Sequence, residues 1–160
     1  MFLFHFFLAF NPVITAFSTF SPRYASASDL IFCKIIEGEI PSEKVYEDDI
    51  ALAFLDINPV NTGHTLIVPK KHFENIYDLP EEISAHIMKI AKKISIALKN
   101  LGLDGINIIV NNGAAAGQIV PHFHTHVIPR LNGDNLPPWP ARRPKEKEIK
   151  ETAQKIIQAL

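Results

Sequence analysis

Three histidines alternate with other residues near the C-terminal third of the chain. They are His122, His124 and His126, in the segment Pro-His-Phe-His-Thr-His-Val-Ile-Pro-Arg. Because side chains alternate faces along a β-strand, a strand over residues 122–129 would place the three imidazoles on one face, with Cα atoms about 6.5–7 Å apart. The intervening residues would then pack on the other face. The spacing therefore predicts that one face of this strand carries the reactive imidazoles and that the other face packs into the core.

Three kinds of chemistry are compatible with this pattern. Alternate histidines can bind zinc or iron, they can be buried structural residues, or one can be a nucleophile whose neighbours bind an anion. The preceding segment, Asn-Asn-Gly-Ala-Ala-Ala-Gly-Gln at 111–118, is a small-residue loop in which backbone N–H groups are accessible to an anion. No carboxylate lies between Gly105 and Arg130. The combination favours a nucleophile beside a phosphate site.

These residues resemble the signature of the histidine triad (HIT) family, His-φ-His-φ-His-φ-φ with φ apolar, and Thr125 is the softer position. The similarity extends to residues 31–41, 53–59 and 63–72 and covers about 30–132. The chain is most similar to the small Hint/Hit branch. The resemblance implies that His124 attacks the α-phosphorus of a nucleotide and that water hydrolyses the resulting nucleotidyl-histidine.

The resemblance also implies roles for the neighbouring histidines. The backbone carbonyl of His122 would hold the Nδ1–H of His124, so that Nε2 carries the lone pair. His126 would donate to the phosphate or leaving group, and His64 would lie near the phosphate. With an unperturbed pKa of ~6.5, an imidazole is mostly neutral at pH 7 and needs no separate base.

A nucleotide pocket is implied by the same resemblance. The residues expected to hold the base and ribose are Ile31, Phe32, Ile35, Phe54, Asp56 and Ile57, and those on the phosphate and leaving-group side are Asn111, Gly117, Gln118 and Ile119. Asp56 would accept hydrogen bonds from ribose hydroxyls. Ile119 stands where relatives often have Ser or Thr, so one donor to the phosphate is missing.

One departure refines the expected substrate. Asn111 replaces the Gln of the branch that cleaves diadenosine polyphosphates, which favours purine nucleoside phosphoramidates or related AMP-X compounds. The alternatives are a dinucleoside polyphosphate hydrolase or phosphorylase, and a purine-nucleotide-binding module with little turnover.

Cofactor and partner expectations follow from the same comparison. Leu30 stands where some relatives have the first cysteine of a zinc site, so we predict no metal and no required cofactor, although Cys33, His72 and His122 could have been the other ligands. The resemblance implies a homodimer through the helix at 80–101 and the strand at 106–111.

The secondary structure that positions these residues is predicted to combine helices and strands in an α+β fold. The patterns predict short helices at 29–36 and 146–160, a long helix at 80–101, and strands at 44–47, 50–55, 64–69, 106–111 and 122–129. Hairpins followed by a long helix indicate an α+β fold with a mostly antiparallel sheet of about five strands, and the resemblance implies that this fold is HIT-like. We place one HIT domain at 29–136, followed by a Pro-rich segment and helix at 137–160.

Composition limits the remaining functions. The chain has 160 residues, one cysteine and a net charge of -1, which fits one domain without an internal disulfide and gives no electrostatic reason for nucleic-acid binding. Residues 1–28 hold seven of the 11 phenylalanines and a single charge, Arg23. Their apolar run is too short to span a membrane. This segment is expected to be a non-structural extension of a cytoplasmic protein, or an organelle or secretory targeting sequence.

Overall fold

The computed structural model describes residues 30–136 and 144–160. The expectations for residues 1–28 and for most of the Pro-rich segment lie outside these ranges. Three helices and five strands follow one another along the described chain. They are α1 (Ile31–Glu37), β1 (Lys44–Glu47), β2 (Ala51–Leu55), β3 (Thr65–Pro69), α2 (Glu81–Asn100), β4 (Gly105–Val110), β5 (Thr125–Arg130) and α3 (Glu146–Ala159).

The strands form one sheet in the order β1-β2-β3-β5-β4, and every neighbouring pair is antiparallel. The expected α+β architecture is confirmed. The hairpin between β1 and β2 turns at Asp48, whose Oδ1 accepts the backbone N–H groups of Ile50 and Ala51. An aspartate that bonds the backbone ahead of it is a common way to fix such a turn.

The sheet separates two apolar clusters because alternate side chains point to opposite faces. On one face, Ala53, Ile67 and Val127 pack with the buried side of α2, including Ile90. The other face carries a smaller cluster that includes α1. Its buried members are Phe32, Ile35, Leu52, Phe54, Leu66 and Val68. The short α1 leaves room beside it, and this second face holds the histidines.

The predicted strand at 122–129 is wrong at its start. Strand β5 begins at Thr125, where it pairs with Ile67 of β3. Upstream of this point the backbone N–H of Phe123 donates to the carbonyl of Phe73 (2.6 Å), and that of His122 to Val120 (2.9 Å). These bonds turn residues 122–124 out of the ladder, so only His126 lies within a strand.

Helix α3 stands apart from the rest of the described fold in one respect: all of its side chains are exposed. Within residues 30–136 and 144–160, helices with the length and apolarity needed to cross a bilayer are absent.

Candidate active site

His124 is held by the main chain next to it. Its Nδ1 lies 2.7 Å from the carbonyl oxygen of His122, which is the hydrogen bond that the sequence implied. A carbonyl only accepts, so Nδ1 carries the proton and Nε2 carries the lone pair. The bend at residues 122–124 makes this contact, because it brings a carbonyl two residues back against the ring. The local backbone therefore fixes which nitrogen can act as a nucleophile.

Burial keeps this imidazole neutral. His124 is 6% exposed, and burial lowers its pKa, against the opposing effects of the His122 carbonyl and of Asp56. The edge of Phe32 closes one side of the ring, with centroids 5.1 Å apart. A neutral, dry imidazole with a free lone pair has the properties of a nucleophile at pH 7.

His126 and His64 form a second pair beside the first. The rings of His124 and His126 are 4.9 Å apart, and those of His126 and His64 are 5.2 Å apart. His64 Nε2 lies 3.0 Å from His126 Nδ1. Burial, with His124 and His64 nearby, lowers the pKa of His126 to about 4, although Asp56 opposes this. The structure thus brings together three of the four histidines that the sequence selected.

His122 points away from these rings. Its Nε2 donates to the carbonyl of Pro69 (3.0 Å), which leaves Nδ1 to face Cys33 Sγ at 3.3 Å and His72 Nδ1 at 3.4 Å. Burial lowers the pKa of His122 to about 4 and raises that of the Cys33 thiol. His122 therefore reaches the nucleophile through its carbonyl and not through its ring.

Two groups of side chains in the described residues could hold a metal. One is Asp56, His64 and His126, and the other is the group around His122. One atom each of Cys33, His72 and His122 lies within 4.8 Å of the others, a spacing that suits zinc. Closed structural zinc sites have four protein ligands, and here the buried Leu30 (3% exposed) offers none. The absence of a structural zinc stays a prediction.

The small-residue loop forms as expected and is braced by Gln118. A 3-10 turn spans Ala114–Ala116, with positive φ at Gly113 and Gly117. The Gln118 Oε1 accepts the Gly113 N–H (2.7 Å), and its Nε2 donates to the carbonyls of Glu74 (2.6 Å) and Val120 (3.1 Å). The side-chain amide of Gln118 thus joins this loop to the backbone at Glu74 and Val120. Asn111 lies close by, since a Cβ added to Gly117 would be 3.9 Å from its Nδ2.

The residues expected to hold the base and ribose divide into two sets. Phe32, Ile35 and Phe54 are buried in the α1 cluster, so they form the wall behind the site. Ile31 and Ile57 form the exposed set, with 41% and 84% of their surfaces exposed. Ile119, expected on the phosphate and leaving-group side, is 89% exposed. The Asp56 side chain is 19% exposed, with Oδ2 3.6 Å from His64 Nδ1.

Sequence reasoning missed two contributors to this arrangement. The backbone N–H of Val60 contacts His64 Nδ1 at 3.2 Å, and the carbonyl of Pro69 orients His122. Both act through the main chain, so no residue type signals them. His72 was considered only as a metal ligand, and its contact with His122 depends on the path of the loop after β3.

The chain is similar in sequence to a protein-family model and to known proteins. The HIT domain model matches residues 37–133. An uncharacterised HIT-like protein of Methanocaldococcus jannaschii is 58% identical over 104 residues, 65% of this chain and 81% of that protein. An adenosine 5′-monophosphoramidase of Saccharomyces cerevisiae is 41% identical over 133 residues, 82% of each chain.

A solved structure extends the likeness to three dimensions. The crystal structure of a HIT family protein from Bacillus anthracis superposes with a TM-score of 0.77 at 41% identity, covering 84% of this chain and 99% of that one. The domain match spans more than half of the 160 residues, and the fold agrees with it. The chain therefore belongs to the HIT family.

Proposed function

We propose that this protein hydrolyses purine nucleoside 5′-phosphoramidates, or related AMP-X compounds, at the α-phosphorus through a nucleotidyl-His124 intermediate. The observation that carries the proposal is the 2.7 Å contact between His124 Nδ1 and the His122 carbonyl, which leaves Nε2 as a neutral nucleophile. The similarity to a yeast adenosine 5′-monophosphoramidase supports the substrate class.

In the first step, the His124 Nε2 lone pair forms a bond to the α-phosphorus. The phosphorus–X bond breaks, its electron pair leaves with X, and X takes up a proton. In the second step, a water oxygen bonds to phosphorus, the phosphorus–nitrogen bond breaks, and its electron pair returns to Nε2 while the water proton is released. The proximity of His126 to His124 (4.9 Å between rings) supports His126 as the donor to X.

The surrounding residues supply substrate binding. We assign the phosphate to the loop containing Asn111 and Gly117, with Gln118 bracing the loop through its three bonds. Asp56 accepts hydrogen bonds from the ribose, and the exposed Ile31 and Ile57 contact the base. Ile119, being apolar and exposed, contacts the leaving group without donating to it. No cofactor is required, so activity should persist in excess chelator.

The test is release of AMP from adenosine 5′-phosphoramidate. His124→Ala should lower kcat/KM by at least ~10³-fold, because a covalent nucleophile is lost. His86→Gln is the matched control, since it removes a histidine on α2 whose partner is Asp48. An active His124→Ala protein would contradict the nucleophile assignment. An inactive wild-type protein that binds AMP would favour the binding-module alternative.

We also propose a homodimer through α2 and β4. Strand β4 is at the edge of the sheet, and Met88, Ile96 and Ile108 are 53%, 50% and 41% exposed beside it. A groove lined partly by Met88 and Ile108 joins the two elements. An apolar face continuous with an unpaired strand edge is typical of a surface that pairs with another chain. Light scattering at micromolar concentration should give twice the chain mass, and Ile108→Lys should reduce it to one.

A further inference from the structure

Asp134 lies beyond the end of β5, at the centre of a hydrogen-bond network that the proposed chemistry does not use. Its side chain is 9% exposed. The Arg130 guanidinium donates to it twice, from Nε to Oδ2 at 2.7 Å and from Nη2 to Oδ1 at 2.8 Å. The backbone N–H groups of Leu131 and Leu136 donate to the same carboxylate at 3.2 and 3.1 Å. The segment that follows β5 is therefore folded around one carboxylate.

The side chain of Asn61 connects this network to the loop between β2 and β3. Its Nδ2 donates to Asp134 Oδ2 at 3.2 Å and to the carbonyl of Pro129 at 3.0 Å. A carboxylate and a carbonyl only accept hydrogen bonds, so the nitrogen of the Asn61 amide, and not its oxygen, must face them. The loop before β3 is thus tied to a segment about 70 residues further along the chain.

The loop that Asn61 anchors carries Asp56 and Ile57, which we assigned to the ribose and the base. At the start of β3, the backbone N–H of Asp56 donates to the His64 carbonyl at 2.9 Å, and the His64 N–H donates to the Asn61 carbonyl at 3.0 Å. Residues 57–60 between these points are exposed. The position of the loop therefore depends on the anchors at its two ends, and the Asn61 side chain is one of them.

Arg130 keeps the anchor charged and fixed to the sheet. Its hydrogen bonds, opposed by burial, hold the pKa of Asp134 well below the usual range of a carboxyl group. A hydrogen bond to a charged acceptor is stronger than one between neutral groups, so the charge strengthens the bond from Asn61. Arg130 Nη1 also donates to Asn107 Oδ1 on β4 at 2.6 Å. The loop is thus joined through Asp134 and Arg130 to the edge strand of the sheet.

We propose that Asn61 and Asp134 are positioning residues for nucleotide binding, which hold the loop at 56–61 so that Asp56 reaches the ribose hydroxyls. The inference rests on the proposed function, because ribose binding by Asp56 is part of it. Asp56 touches the nucleotide, Asn61 acts through the loop, and Asp134 acts through Asn61. A loop that is ordered before binding does not have to be ordered by the nucleotide, so the anchor increases affinity.

The affinities for AMP and 2′,3′-dideoxy-AMP, measured by calorimetry at pH 7, test the inference without turnover. Hydrogen bonds from ribose hydroxyls to a carboxylate should make wild-type protein bind AMP at least ~10-fold more tightly than the dideoxy nucleotide. Asn61→Ala should reduce this ratio to less than ~3-fold by weakening AMP binding. Asp56→Ala should do the same. Adding Asn61→Ala to Asp56→Ala should not change the ratio further, because both substitutions remove the same interaction.

Asp104→Asn is the matched control. Asp104 Oδ2 accepts the N–H of Asn132 at 2.7 Å, so this change removes a carboxylate that holds the same segment after β5 but leaves the Asn61 contacts in place. Asp104→Asn should keep the wild-type ratio. Asp134→Asn should act like Asn61→Ala, since either orientation of the new amide directs its N–H groups against other donors. The urea midpoint of each variant establishes that it is folded under the conditions of the binding experiment.

Three binding results would overturn the inference. They are a wild-type ratio in Asn61→Ala, equal losses of affinity for both nucleotides in that variant, and a wild-type protein that does not distinguish the two nucleotides. In hydrolysis of adenosine 5′-phosphoramidate, Asn61→Ala should raise KM by about 10-fold and change kcat by less than ~3-fold, because ribose binding is lost equally from the ground and transition states. A lower kcat at unchanged KM would also overturn it.

The binding experiment also separates this inference from the proposed reaction. If the affinity ratios are as expected but wild-type protein releases no AMP from adenosine 5′-phosphoramidate, the proposed hydrolysis fails and the positioning of the loop stands. If AMP is released but Asn61→Ala keeps the wild-type ratio, the hydrolysis stands and the positioning role fails.

Discussion

Replacing Gly63 by alanine should destabilise the protein more than the same change at Gly102, although the two glycines have nearly the same φ angle. Their φ angles are +90° and +91°, a region in which an alanine costs about 1–2 kcal/mol. A Cβ at Gly102 meets nothing within 4 Å, but at Gly63 it would lie 3.1 Å from Leu98 Cδ2 and 3.4 Å from Pro129 Cγ. Gly102→Ala therefore isolates the backbone strain.

The added methyl at Gly63 has little room to be accommodated. Leu98 is buried on α2 (9% exposed), and Pro129 has a rigid ring on β5. Overpacking of this kind costs about 1–3 kcal/mol. We therefore expect an unfolding free-energy loss of about 2–5 kcal/mol for Gly63→Ala against about 1–2 kcal/mol for Gly102→Ala, measured by urea denaturation at pH 7.

The two variants should also differ in catalytic activity. Gly63 precedes His64, and its carbonyl accepts the Thr65 hydroxyl at 2.9 Å, so a shift there displaces His64 from His126. Gly63→Ala should lower kcat/KM for adenosine 5′-phosphoramidate, while Gly102→Ala should not. Equal free-energy losses within about 0.5 kcal/mol, with equal activity, would refute the argument that close packing behind Gly63 holds the His64 loop.

Three further changes test other parts of the structure. Asp48→Asn should destabilise the protein at pH 7, because the Asp48 carboxylate accepts bonds from the backbone N–H groups of Ala51 and Ile50 and from the side chains of His86 and Tyr46. Although burial opposes them, these bonds hold the Asp48 pKa well below its usual range. Wild-type stability should therefore fall as the pH drops below about 3.9, and the variant should lack this contribution in acid urea titrations. Gln118→Glu should lower kcat/KM, because a carboxylate cannot donate to the two carbonyls that Gln118 Nε2 holds; retained activity would contradict the bracing role. Phe32→Ala should cost about 3–5 kcal/mol, seen as a lower urea midpoint, while Phe32→Leu should cost less.

The fold was predictable where the pattern of side chains is local. Strand β1 begins and ends where expected, and α2 begins and ends within a residue of its predicted limits. Periodic apolar residues and turn residues carry this information in the sequence itself. The order of the strands in the sheet was not predicted, because which strands become neighbours depends on contacts between distant segments.

The start of β5 could not be read from the alternating histidines. The three histidines do alternate with other residues in the sequence. The backbone N–H of Phe123, however, donates to the carbonyl of Phe73, 50 residues away, instead of pairing with a neighbouring strand. The prediction that His124 would be held by the carbonyl of His122 came from the family resemblance, and the contact exists because of that same departure from strand geometry. An ideal strand would have pointed the carbonyl toward a neighbouring strand.

The site was predictable in its residue types more than in its connections. The sequence selected His64, His124 and His126 together, and the fold brings their rings within about 5 Å of one another in series. It did not indicate that the Gln118 side chain would be occupied by backbone groups or that the N–H of Val60 would contact His64. Those connections use backbone groups, which every residue has, so only the folded chain reveals them.

The most direct test of the account is to trap the intermediate on the protein. Wild-type protein mixed with radiolabelled adenosine 5′-phosphoramidate, quenched within milliseconds under alkaline denaturing conditions that preserve phosphorus–nitrogen bonds, should carry one AMP per chain at early times. Peptide mass spectrometry should place it on His124, and His124→Ala should carry none. Turnover to AMP with the adduct on another residue, or with no adduct at any time, would contradict the central claim.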